Sequence, residues 1–178
     1  NINNLSNNRT LASIPFGGRY RLIDFILSAL VAANVRDVGI ITRDKYASLM
    51  DHVGWGKDWD LNRKNGGLKF LTPFLTNSST GVVTNKIEAL NSVMDYIKTA
   101  LPEYCILSDA NMAMNIDLKK FMQYHEQKGA DITFAYKKLI PKDRELEVTL
   151  NEDGRLIDAM YHQKSAKTEM NIQLNMVI

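Results

Sequence analysis

The residues best suited to chemistry lie early in the chain, in the run Ile14-Pro15-Phe16-Gly17-Gly18-Arg19-Tyr20-Arg21-Leu22-Ile23-Asp24-Phe25. Pro15 and the glycine pair mark a tight turn. Arg19 and Arg21 follow at once, and an apolar run with helical spacing opens at Leu22. Glycine lets backbone N–H groups approach a ligand closely. A helix start is electropositive, and each guanidinium adds a charge-assisted fork. Phosphate is the anion such a set would serve. A plain turn with solvated arginines is the other reading of the same residues.

These residues need elements to hold them. Apolar spacing predicts a helix over 22–33, a buried strand over 35–42 and a short amphipathic helix over 46–53. Residues 54–79 keep no period and carry Gly, Asn, Trp and Pro, which predicts a long loop. A helix is predicted over 86–99, with Ile87, Leu90, Val93, Met94 and Ile97 on one face. A strand over 104–107 and a helix over 118–128, closed by Gly129, come next. A strand is predicted over 132–136. Segments 145–150 and 155–157 read as a hairpin around Asn151-Glu152-Asp153-Gly154, and 172–178 as a final strand. Helices alternating with apolar strands predict an α/β layer fold with a mainly parallel sheet. Such sheets bind ligands at the carboxyl ends of their strands, which points to the loops after Thr42, Leu107 and Tyr136.

Composition narrows the function class. The chain has 178 residues, 45% hydrophobic and 24% charged, with a net charge of +2. That is ordinary for a soluble globular protein of one domain's length. No basic tract with interleaved aromatics favours nucleic acid, and no run is long and apolar enough to span a bilayer. The single cysteine, Cys105, excludes an intrachain disulfide, and its apolar surroundings predict a buried strand position. A reducing, cytoplasmic setting is expected. His52 and His125 have no second histidine or cysteine at ligand spacing, so a zinc site is not expected. The chain opens on Asn1 and ends at Val177-Ile178 within a predicted strand, so a fragment of a longer protein is expected.

The glycine-arginine run resembles the P-F-G-G-[KR]-[YF]-R-[IL]-I-D-F signature of bacterial and plant glucose-1-phosphate adenylyltransferases. The likeness continues through Gly39-Ile40-Ile41-Thr42, Lys45 and Ser48-Leu49-Met50-Asp51-His52. The spellings Leu11-Ala12-Ser13-Ile14-Pro15-Phe16 and Gly54-Trp55-Gly56-Lys57-Asp58-Trp59-Asp60-Leu61 look more like the family's GlgD-type subunit, regarded as regulatory and poorly catalytic. The resemblance implies a Rossmann-like, glycosyltransferase-A-like nucleotidyltransferase domain, here partial over 1–178. A phosphate-loop strand precedes this region in the family. A left-handed β-helix domain follows it and is not in this chain.

Matched residue by residue, the resemblance keeps Gly17, Gly18, Arg21, Asp24, Lys45 and Asp117. It departs at other positions, where the family has metal- and phosphate-facing groups. The family's metal-binding Asp lies in a Gly-Asp-His motif, and registration on Ile116-Asp117 puts Ala110, Asn111 and Met112 there. A neutral amide cannot supply a carboxylate's charge to a hard cation. Asp109, immediately before that aligned stretch, is the possible substitute, with turn formation as its plain alternative. Leu11 replaces a phosphate-facing lysine. The motif Y-R-G-T-A-D-A aligns with 83–89, placing Asn85 at the glycine and Lys86 next to it. Lys86 either offsets the lost arginine or is a solvated first-turn residue. Gln173 stands at a sugar-contacting serine. Trp55 and Trp59 either form a sugar platform or pin their loop to the body or a partner.

The nucleotide or sugar-phosphate candidates are therefore Gly17, Gly18, Arg19, Arg21, Lys45, Asn85, Lys86, Asp117 and Gln173. The resemblance implies Mg²⁺ in catalytic members. It implies a catalytic glucose-1-phosphate adenylyltransferase as hetero-oligomeric partner, and ATP, ADP-glucose or a sugar phosphate as effector. The rival expectations are an active Mg²⁺-dependent enzyme using Asp109 and Asp117, and a sensor without an enzyme partner.

Overall fold

Two glycine-bearing stretches and one parallel strand pair organise the first part of the chain. The computed structural model describes residues 5–42, 44–72, 86–141, 145–161 and 168–178. They fall into two compact units. One comprises Asn1–Glu103 with Ala110–Phe121, the other Tyr104–Asp109 with Met122–Ile178.

In the first unit, β1 (Pro15–Phe16) and β2 (Tyr20–Arg21) pair antiparallel around the glycine turn. The chain then enters α1 (Leu22–Ala32), where Ile23, Ile26 and Leu27 form the buried stripe expected of helical spacing. Next comes β3 (Asp37–Ile41), followed by α2 (Ala47–Val53), which buries Leu49 and Val53. A fourth strand, β4 (Gly67–Leu71), pairs parallel with β3 from Asp37↔Gly67 to Ile41↔Leu71.

β4 lies inside the segment predicted as a loop. Its signal is hidden because Gly66 precedes it, Gly67 opens it and Lys69 interrupts its apolar residues. The segment leading into it is tightly tied. Leu61 is buried; its N–H donates to the Gly56 carbonyl and its own carbonyl accepts from Leu68, both at 2.9 Å. At Gly67, φ is +82° and a Cβ would fall 2.5 Å from the Leu61 carbonyl oxygen, so both conformation and space demand glycine.

The predicted helix over 86–99 is two helices, α3 (Lys86–Ser92) and α4 (Met94–Ala100). Val93 breaks it at φ −113°, ψ 13°. The Ser92 hydroxyl donates to the Ala89 carbonyl at 2.7 Å, a local bond that competes with the helical ladder.

The second unit is a five-stranded sheet of β5 (Leu107–Ser108), β6 (Phe134–Leu139), β7 (Leu146–Leu150), β8 (Leu156–Tyr161) and β9 (Met170–Val177). β9 is its axis. Ile172 is opposite both Lys137 and Glu147, and Val177 opposite both Leu107 and Phe134, so β6 lies on one side and β5 and β7 on the other. All these pairings are antiparallel, as is β7 with β8. The α/β class therefore stands, but where a mainly parallel sheet was expected, β3–β4 in the first unit is the one parallel ladder among the described residues.

The hairpin forms as predicted. Gly154, at φ +79°, donates to Asn151, whose side chain accepts the Arg155 N–H at 2.8 Å. The helix α5 (Leu118–Lys128) buries His125, which meets the Thr133 hydroxyl at 2.8 Å. Cys105 departs from expectation. It is exposed and precedes β5, which is only two residues long.

Because Leu61 plugs the loop beneath β4, Leu61→Ala is expected to cost about 2–5 kcal/mol of stability. Urea unfolding monitored by circular dichroism checks this, with the midpoint falling at unchanged slope.

Candidate functional site

The glycine turn is built by backbone conformation. Gly17 and Gly18 have φ of +57° and +94°, while no heavy atom lies within 4 Å of a Cβ built at either. Glycine is needed there for the left-handed backbone, and the space beside it is open. Arg19 folds back on its neighbour, with its guanidinium 5.2 Å from the centroid of the Tyr20 ring.

Arg21 points elsewhere. Its guanidinium donates to the carbonyl of Ser48 and, at 2.8 Å, to the Ser48 hydroxyl on α2. Asp24, in the first turn of α1, is buried. One of its oxygens accepts the Arg21 backbone N–H at 3.0 Å, and the other meets His52 Nε2 at 2.6 Å. The His52 ring stands edge-to-face to Trp59 with centroids 6.2 Å apart, and the Trp59 indole donates to Ser28 at 3.3 Å. A polar brace thus joins the turn, α1, α2 and the Lys57–Trp59 turn.

Sequence reading assigned Arg21 to an anion, but the structure commits it to α2. Asp24 binds the backbone N–H of Arg21 itself. Ser48 and His52 were missed as functional partners. Their i, i+4 spacing on α2, which puts both on one face, is the signal that would have paired them with Arg21 and Asp24.

The two tryptophans separate. Trp59 pins its segment to the body, whereas Trp55, between Gly54 and Gly56, is 78% exposed. Lys45 sits beyond the carboxyl end of β3 with φ +54°, its ammonium 3.4 Å from the Ser6 carbonyl. A non-glycine residue held in that conformation is uncommon.

The remaining sequence candidates are divided between the two units. Asn111 is exposed. Asp117 caps α5: it accepts the Lys120 N–H at 3.2 Å and faces the Lys120 ammonium at 3.5 Å. The backbone hydrogen bond from Lys120 is the main cause that holds this carboxyl below its usual range. Asp109 belongs to the second unit, where its N–H donates to the Asn175 carbonyl at 3.1 Å. Gln173 lies on β9 opposite Tyr136. Lys86 opens α3, and Asn85 lies outside the described residues.

An exposed amide at 111 and a carboxylate at 117 engaged by Lys120 do not supply the oxygen set a Mg²⁺ ion prefers. Among the described residues no three His, Cys, Asp or Glu side chains come together as metal ligands. Nor is any described helix long and apolar enough to cross a membrane.

Comparison with known proteins gives this arrangement a context. The model of the nucleotidyl transferase family matches residues 2–145. The chain is 34% identical over 170 residues to the glycogen biosynthesis protein GlgD of Bacillus subtilis, covering 94% of this chain and 48% of that protein. It is 36% identical over 158 residues to the same-named protein of Geobacillus stearothermophilus, covering 88% and 45%. A glucose-1-phosphate adenylyltransferase of Clostridioides difficile is 29% identical over 163 residues, covering 90% and 42%. The chain thus spans about half the length of the relatives it matches.

Asp24→Ala leaves His52 and the Arg21 N–H without their shared acceptor. Its expected cost is about 1–3 kcal/mol. Trp59 should report the loosened His52 ring as a changed fluorescence maximum in the folded baseline, an effect that should be absent from a surface control such as Lys64→Ala.

Proposed function

The chain belongs to the nucleotidyl transferase family, and from that premise we propose that it serves glycogen synthesis as a GlgD-type partner of glucose-1-phosphate adenylyltransferase, not as a self-sufficient enzyme. The reaction joins the phosphate of glucose 1-phosphate to the α-phosphate of ATP and releases pyrophosphate. Several phosphates meet at one centre, so the site must supply positive charge and, in catalytic members, Mg²⁺.

The observation that carries the proposal is how this chain uses its charged groups. Arg21 and Asp24 are spent on the brace, Asp117 on the α5 cap, and Asn111 brings an amide where the resemblance expects a carboxylate. Leu11, 46% exposed, stands where the resemblance expects a lysine. The parts that shape the domain are kept while those that neutralise phosphate are replaced.

A chain of this kind acts through a partner. It forms a mixed oligomer with a catalytic adenylyltransferase, and ligands of either subunit shift activity only by favouring one of two assembled states. Trp55 is a candidate contact, because an exposed tryptophan on a glycine-bounded bracket suits an interface anchor. The open turn at Gly17 and Gly18, with Arg19 and Lys45, is where an ATP, ADP-glucose or sugar-phosphate effector would be received.

The full-length protein, purified free of host enzyme, is expected to form no ADP-glucose alone. Mixed with a catalytic relative, it should co-elute in size exclusion and shift that enzyme's rate or effector response. Turnover by the lone protein at about 1–1000 per second, lost on Asp109→Asn, would instead establish an active enzyme. Separate elution with unchanged kinetics would leave a sensor.

A further inference from the structure

At the amino ends of β3 and β4 lies a second positively charged cluster. These ends are opposite the carboxyl ends where α/β sheets usually bind ligands. Arg36 immediately precedes β3, and Arg63 lies in the segment entering β4. Both guanidiniums converge on one oxygen of Asp60. Arg36 Nη1 is 3.5 Å from Asp60 Oδ2, and Arg63 Nη2 is hydrogen-bonded to the same atom.

Each fork is aimed by its other nitrogen. Arg36 Nε donates to Asn34 Oδ1 at 3.0 Å, and Arg63 Nε donates to the Asp60 carbonyl at 2.8 Å. The backbone beneath is fixed. Gly67 N–H donates to the Arg36 carbonyl at 2.7 Å, and a Cβ on Gly66 would come 3.0 Å from that same oxygen. Asn34 and Asp60 are themselves held at φ of +66° and +55°. The two forks are therefore oriented in advance, which lowers the ordering cost of binding.

The charges do not balance. Two guanidiniums face one carboxylate, and that carboxylate is 72% exposed while the arginines are 38% and 40% exposed. The neighbouring Asp37 does not correct this, since its carboxylate accepts the Tyr96 hydroxyl, over whose ring Lys69 lies. A dianion would satisfy both forks better than Asp60 does, because paired N–H donors match the oxygens of a phosphoryl group.

The geometry points to a binding site for a phosphate monoester dianion formed by Arg36 and Arg63, with Asp60 as the internal occupant that such a ligand displaces. The site is independent of the glycine turn and does not rest on the role in glycogen synthesis.

Inorganic phosphate titrated into the full-length protein at constant ionic strength tests it. Heat of binding is read by calorimetry, and the Arg36 and Arg63 Nε–H signals are followed by NMR. Arg63→Gln and Arg36→Gln are each expected to weaken phosphate binding about ten-fold or more. Asp60→Asn, which removes the competitor, should tighten it. Thermal unfolding of each variant verifies that it is folded. The Nε–H shifts on the unmodified protein carry the test should an arginine variant not fold. Equal affinity across the variants, weaker binding by Asp60→Asn, no movement of the two Nε–H signals, or equal displacement by chloride would each overturn the site and leave an ordinary surface ion pair.

Discussion

The first unit depends on one buried carboxylate. Asp24 receives a backbone N–H from Arg21 with one oxygen and the His52 ring with the other. Burying a carboxylate is costly unless each oxygen is satisfied, and here both are. That requirement fixes where α2 lies against α1, because His52 must reach Asp24 while Ser48, one turn earlier, receives the Arg21 guanidinium. The glycine turn is then mounted on two helices. Phe16 of β1 adds an edge-to-face contact with Phe25 of α1, centroids 5.2 Å apart. The Arg21 guanidinium is engaged by Ser48 of α2.

A similar economy governs the parallel pair β3–β4. The register from Asp37↔Gly67 to Ile41↔Leu71 is held at its amino end by Gly67 against the Arg36 carbonyl. On its face, a Cβ at Gly39 would fall 2.6 Å from Leu71 and 2.9 Å from Tyr96, so close packing sets that residue too. The loop at the carboxyl end carries Lys45, and the cluster at the amino end carries Arg36 and Arg63. One short ladder therefore presents positive charge at both ends, each on backbone fixed by left-handed residues.

Much of this was legible in the sequence, and the failures have physical causes. The helix α1, the strand β3 and the Asp-Gly hairpin followed from spacing and turn chemistry, because each is decided within about ten residues. β4 was not legible, since its existence depends on pairing with β3 across a long separation and its own residues are few and mixed. The break at Val93 turns on a serine hydroxyl choosing a local carbonyl, which apolar periodicity does not register. Strand direction was equally hidden: an apolar run reads the same in a parallel or an antiparallel ladder, and β9 is antiparallel to all its partners. For the site, residue types were readable and their commitments were not. Arg21 matches the family signature letter by letter, and its guanidinium donates to Ser48. Cys105 looked buried because its neighbours are apolar, and it is exposed.

The central claim is that this chain keeps the nucleotidyltransferase scaffold while giving up the charges that hold Mg²⁺ and nucleotide phosphate. Binding of ATP to the full-length protein, with and without Mg²⁺, measures that directly when the parent is compared with the double variant Asn111→Asp, Leu11→Lys. The account predicts that Mg²⁺ leaves the parent's affinity essentially unchanged and strengthens ATP binding to the double variant, since the two substitutions return a carboxylate for the cation and a cation for phosphate. A parent that already binds ATP in a strongly Mg²⁺-dependent way, or a folded double variant that behaves like the parent, would contradict it.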